Sequence, residues 1–172
     1  YVKAGKGKKQ KVRYAHNTWD EATHSAKSEI KTEVLVLDAS ELKDICYMIP
    51  CPKSPHGCDV DPTGEYIVGS GKLAALIPVF SFDKLQKAIA SKTFEGDYGG
   101  IPVIKYEAAL HGEVQKPGLG PLHTEFDGKG NAYTTFFVSS EVVKWDIKSL
   151  QVLDRVPTYY SVGHLCIPGG DS

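Results

Sequence analysis

An all-β fold is the class this sequence predicts, and three observations point to it. Short β-branched and aromatic runs recur along the chain, turns rich in Gly, Asp and Pro separate them, and only one stretch carries helical spacing. Apolar residues make up 41% of the 172 residues and charged residues 24%, enough to bury a core and against global disorder. With 20 Lys plus Arg against 21 Asp plus Glu, the net charge of −1 offers no electrostatic footprint for nucleic acid. The longest strongly apolar run, Leu73 to Phe80, is interrupted by Pro78, so no membrane-spanning helix is encoded.

Taken in order, the chain opens with Lys3, Lys6, Lys8, Lys9, Lys11 and Arg13, a basic Gly-containing stretch that reads as a solvated loop. Glu21 to Glu33 reads as a short helix of poor apolar spacing. Strands follow from Glu33 onward. Val34 to Leu37 is an apolar run ending at Asp38, Tyr66 to Val68 follows the turn Asp61-Pro62-Thr63-Gly64, and Ala75 to Phe82 is a third run. Thr134 to Val138 and Val142 to Trp145 repeat the style, while Lys84 to Lys92 places Leu85, Ala88 and Ile89 on one helical face. The start at Tyr1 and the stop after the Gly169-Gly170 turn signal read as the ends of an internal piece of something longer.

Internal repeats choose among the sandwich, the barrel and the propeller. Leu37-Asp38-Ala39-Ser40-Glu41-Leu42 is echoed by Trp145-Asp146-Ile147-Lys148-Ser149-Leu150 and loosely by Phe82 to Leu85; in the first two copies a further strand then ends at Pro50 and at Pro157. His56 to Tyr66 and His123 to Tyr133 both run His, then Asp-x-x-Gly, then Tyr ten positions after the His. His164 follows Pro157 as His56 follows Pro50. The His-to-His spacings are 67 and 41 residues; the shorter fits a four-stranded propeller blade, and the longer one a blade carrying an insertion, roughly Phe94 to Leu119. Each histidine then stands where the chain enters the innermost strand of a blade. Those entry points ring the central axis, so His56, His123 and His164 are expected to converge.

Convergent neutral imidazoles suit Zn, Cu, Fe or Ni. A lone histidine in such a loop is more often a structural hydrogen-bonder, and His16, His24 and His111, outside the repeat, are read as surface or capping residues. Cys58 and Cys166 each follow a repeat histidine by two and could join a metal site or pack beside the strand's core; Glu125 at the same place in the second copy favours packing. Together with Cys46 and Cys51 they make four cysteines, which could form two disulfides or be buried thiols. Lys144, between apolar neighbours, either lays its stem over the sheet or directs a cation into the channel. No Gly-rich phosphate loop, Ser-His-Asp order or CxxC spacing is present.

The segments SPHGCDVDPTGEYIVGSGKL (54–73), GLGPLHTEFDGKGNAYTTFF (118–137), SSEVVKWDI (139–147) and VGHLCIPGGDS (162–172) resemble nitrous-oxide reductase, from about Val34 to the end. The GPLHTEFDGKGNAYT block is the most specific part, and the Lys-rich opening and Gly-rich insertion resemble the less common branch of that family. The resemblance implies that residues 1–172 are three to four blades of a seven-bladed β-propeller that carries the CuZ centre, a four-copper sulfide-bridged cluster held by seven histidines. By motif, His56, His123 and His164 would be three of the seven, with the other four and the C-terminal cupredoxin domain with its CuA site outside this chain. Lys144 matches a lysine close to the cluster and would be catalytic. A calcium site near the loop before His56 is also implied, where Ser54 stands as a weaker ligand than an amide. The implied reaction is reduction of N2O to N2 and water, the last step of denitrification, in the periplasm. A c-type cytochrome or cupredoxin would be the electron donor and a homodimer the assembly, while the chain alone would be inactive. Two other readings stand beside this one: a non-catalytic propeller used for protein binding, with structural histidines, and a different metalloenzyme on a propeller.

Overall fold

The computed structural model describes residues 7–42 and 44–167. The expected Gly169-Gly170 turn and the basic residues Lys3 and Lys6 lie outside the described residues. The chain divides into two compact units, residues 1–47 with 97–102, and residues 48–96 with 103–172. No helix among the described residues is long and apolar enough to cross a membrane.

In the first unit, strands β1 (Lys8–Asp20) and β2 (Ser25–Val36) form an antiparallel hairpin, in register from Lys8 opposite Val36 to Asp20 opposite Ser25, with a slip between His16 and Trp19. This corrects both expectations for the opening of the chain, the solvated loop and the helix over 21–33. The period of two was present in the sequence: Lys27, Glu29, Lys31 and Glu33 alternate with Ala26, Ser28, Ile30 and Thr32, which suits a strand and not a helix. The exposed pairs Lys9–Glu33 (3.2 Å) and Lys8–Glu41 (2.7 Å) contribute little, as solvated ion pairs do. Asp38 caps a single turn at Ala39–Glu41 by accepting from the Ser40 amide at 2.9 Å.

The second unit holds two four-stranded antiparallel sheets. One is β3 (Pro55–Val60), β4 (Tyr66–Gly71), β5 (Leu76–Ser81) and β8 (Leu110–Gln115); the other is β9 (Pro121–Phe126), β10 (Asn131–Phe136), β11 (Glu141–Asp146) and β12 (Val152–Pro157). Each sheet runs in sequence order from an inner strand to an outer one, and the inner strands β3 and β9 lie against each other. Among the described residues these are two blades, not the three to four expected, and the fold is part of a β-propeller. Between β5 and β8 the chain forms helix α1 (Phe82–Ala90), strands β6 (Phe94–Tyr98) and β7 (Ile101–Ile104), and the short helix α2 (Tyr106–Ala109). The Ser81 hydroxyl starts α1 by accepting from the Lys84 amide, and donates in turn to Glu65.

The insertion is therefore shifted from its expected place at 94–119. It occupies 82–109, and residues 110–115 are the blade's own fourth strand. The Phe82 to Leu85 echo forms the first turn of α1. Likewise no strand ends at Pro50; Met48 makes one isolated parallel bridge to Val103 instead.

One core serves both blades. Val68, Ile77, Val79 and Val114 of the first sheet pack with Phe126, Ala132, Phe136, Val143 and Trp145 of the second. On β11 the alternation puts Val143 and Trp145 inward, and Ala132 opposite Trp145 leaves room for the indole. The Trp145 indole N–H donates to Thr134 Oγ1 (2.9 Å), which lies 2.7 Å from Thr124 Oγ1, so the buried polar atoms satisfy one another across three strands.

Candidate metal centre

Turns built on aspartate aim the strands. Asp61 accepts from the Tyr66 amide (2.8 Å) and the Thr63 hydroxyl (2.7 Å); Asp127 accepts from the amides of Lys129 and Asn131 and from the Asn131 side chain. Gly64 (φ 76°) and Gly130 (φ 92°) take the left-handed conformation that closes each Asp-x-x-Gly turn. The two turns close the hairpins β3–β4 and β9–β10, and a histidine stands near the start of each inner strand.

The three repeat histidines come together. His56 lies at the second residue of β3 and His123 at the third of β9; their ring centroids are 5.0 Å apart and nearly perpendicular, at 75°. His164 follows β12 outside regular secondary structure, and its ring stacks on His123 with centroids 4.4 Å apart and planes inclined by 24°. Thr135 holds this arrangement from β10: its hydroxyl donates to the Gly163 carbonyl and lies 3.4 Å from the backbone of His123. Gly57 permits it from β3, because a Cβ there would overlap the Leu122 carbonyl oxygen of β9. Burial lowers the pKa of His123; the charge of Asp59 raises it, and the neighbouring His164 and His56 add to the lowering. The ring is thus biased toward the neutral form that can donate a lone pair.

Among the described residues, no three His, Cys, Asp or Glu side chains close around one point as a mononuclear site requires. A cleft of about 250 Å³ lined by Asp61, Tyr66, Phe126 and Asn131 opens at the opposite end of the inner strands, away from the imidazoles.

Lys144 stands elsewhere on the second blade. It lies on β11 opposite Tyr133, which lies opposite Glu125 of β9, so it is two strands, about 10 Å, outward from the inner edge. Its ammonium is 5.6 Å from the Tyr133 ring centroid. The four cysteines are free thiols, and Cys58 and Cys166 are exposed, which overturns their expected packing beside the strand cores. His111 behaves as a capping residue, its Nε2 3.1 Å from the Lys148 carbonyl and its ring beside Tyr66. Ser54 sits in the left-handed region (φ 61°) immediately before β3. Sequence reasoning missed Asp59 and Thr135; nothing in the one-dimensional pattern marks either, because each acts across a strand or blade boundary.

No protein-family model matches the chain. It is 37% identical to the nitrous-oxide reductase of Stutzerimonas stutzeri over 127 residues, 68% of this chain and 18% of that protein. To the nitrous-oxide reductase of Ralstonia nicotianae it is 33% identical over 156 residues, 84% of this chain and 21% of that protein. To that of Pseudomonas fluorescens it is 39% identical over 101 residues, 58% of this chain and 14% of that protein. The chain thus spans about a fifth of the length of these relatives. With two blades, a converging histidine set and this similarity over most of its residues, the chain belongs to the nitrous-oxide reductase family.

Proposed function

We propose that this chain supplies part of a copper centre that reduces N2O to N2 and water, with His56, His123 and His164 as copper ligands. The observation that carries this reading is the meeting of three repeat-related imidazoles at ring separations of 4.4 and 5.0 Å. The donor set fits the metal: imidazole is a favoured copper ligand, and a stacked pair can serve two ions of one cluster, as the four-copper CuZ centre would need. Four further histidines and the CuA-bearing cupredoxin domain would come from outside these 172 residues. A c-type cytochrome or cupredoxin as electron donor, a homodimer, a periplasmic location and a calcium ion near Ser54 belong to the same reading.

N2O is inert and a poor ligand, and its reduction consumes two electrons and two protons. Bound copper supplies the electrons and a place for N2O to bend. The chain's own residues do the rest. Burial keeps His123 available as a neutral donor, and the shared inner edge of β3 and β9 sets its distance from His56. Lys144, a cation on the blade that carries His123, serves as hydrogen-bond or proton donor as the departing oxygen gains charge.

The test is Lys144→Ala in the full-length reductase, read as turnover against copper content. The proposed role predicts full copper loading with turnover reduced by about 10²-fold or more, the scale of a lost proton donor. Unchanged turnover at full loading removes Lys144 from the mechanism.

A further inference from the structure

Asp59 stands where the two blades meet. The alternation of β3 turns Gly57 and Asp59 to the same side, toward β9. With no side chain at Gly57, the strands approach closely enough for Asp59 Oδ2 to accept the Thr124 amide at 2.8 Å. That bond crosses from one blade to the next and anchors the carboxylate, since hydrogen bonds to an ionised acceptor are among the stronger ones. The other oxygen, Oδ1, then faces His123 Nδ1 at 4.0 Å, with both side chains largely shielded from solvent. This is longer than a hydrogen bond, so its effect is electrostatic, and a small rotation of the ring would close it.

A neutral imidazole carries one N–H and one lone pair. A lone pair on Nδ1 would face the negative carboxylate, whereas a proton there faces it favourably. We propose that Asp59 is a positioning residue that holds the His123 proton on Nδ1 and so leaves Nε2 as the metal-donor atom. Ligating histidines generally have their second nitrogen fixed by a carboxylate or carbonyl, and loss of that partner costs metal affinity. Here the partner comes from the neighbouring blade, so the orientation of one ligand depends on the seam that brings His56 beside it.

The inference rests on the copper reading of the three histidines, and the experiment separates the two. The metal-free chain, labelled with 15N-histidine, is studied by proton–nitrogen correlation spectroscopy at about pH 8.5, two units above the ordinary histidine pKa. His123 is expected to show a protonated Nδ1. In Asp59→Asn, which keeps an acceptor for the Thr124 amide and removes the charge, it is expected to revert to the protonated-Nε2 form that predominates for imidazole in water. Native-like signals from the other histidines establish that the variant is folded, and a purely structural role for Asp59 would not move the tautomer. Copper(I) affinity of the full-length protein carrying Asp59→Asn should fall by about 10-fold or more. A protonated Nε2 in the unaltered chain, or no change in Asp59→Asn, overturns the proposal. Full-length protein that takes up no copper, although this chain shows the tautomer switch, overturns the copper reading and the donor role of Nε2, while the orienting contact stands.

Discussion

The second blade joins its four strands within residues 121–157 by short turns, whereas the first needs residues 55–115 for the same four strands. The added length enters between the third and fourth strands, as two helices and a hairpin, and the inner strands are left alike. Both place a histidine near the start of the inner strand and an aspartate turn at its end. The lesson is that the fold's symmetry is kept by the inner edge. A change at the outer edge costs little there, because each strand pairs only with its neighbours in the sheet. It also accounts for histidines spaced by 67 and 41 residues coming together at ring separations of 5.0 and 4.4 Å.

If the blades share one core, damage to either should unfold both. Trp145→Ala removes the largest fully buried side chain and is expected to cost about 3–5 kcal/mol. Ile77→Ala in the first blade should cost about 2–5 kcal/mol. Denaturant unfolding followed by fluorescence and by circular dichroism should show a single transition, moved to lower denaturant in both variants. Two separated transitions, with only the mutated blade affected, would break the shared-core description.

A smaller effect sharpens the contrast at the turns. At Asp146 the Ser149 amide and hydroxyl hold the carboxyl below its usual pKa. At Asp127 burial pushes the pKa up, but the bonds from Asn131, Lys129 and Tyr133 outweigh it and the net shift is downward. A carboxyl with a lowered folded pKa adds stability above its unfolded value of about 3.9, and that stability is lost as the pH falls through the folded value. Acid should therefore weaken these second-blade turns at pH below about 4. Asp127→Asn with Asp146→Asn should flatten that part of the stability curve; a curve of unchanged slope would show that the turns do not depend on these charges.

How much of this could be read from the chain alone varies with the kind of signal. Strands that pair with sequence neighbours were visible as apolar runs bounded by Asp-x-x-Gly turns, and the recurrence of His56, His123 and His164 anticipated their meeting. β8 was hidden inside the supposed insertion because Leu110 to Gln115 carries His111, Gly112 and Glu113, and becomes a strand by pairing with β5. The β1–β2 hairpin was missed because its alternation is mostly of charge, not of apolarity. Asp59 was invisible for a different reason: its partners, Thr124 and His123, lie more than sixty residues away on another blade.

The central claim, that the three converging histidines are copper ligands, is tested most directly by copper content. Full-length protein carrying His56→Ala, His123→Ala or His164→Ala, one at a time, would be purified after copper loading and its copper per protomer measured beside the unaltered protein. The account predicts that each substitution lowers the copper content and that the other residues of the blades fold as before. Copper content equal to that of the unaltered protein in all three would contradict it and leave the histidines as structural members of the propeller seam.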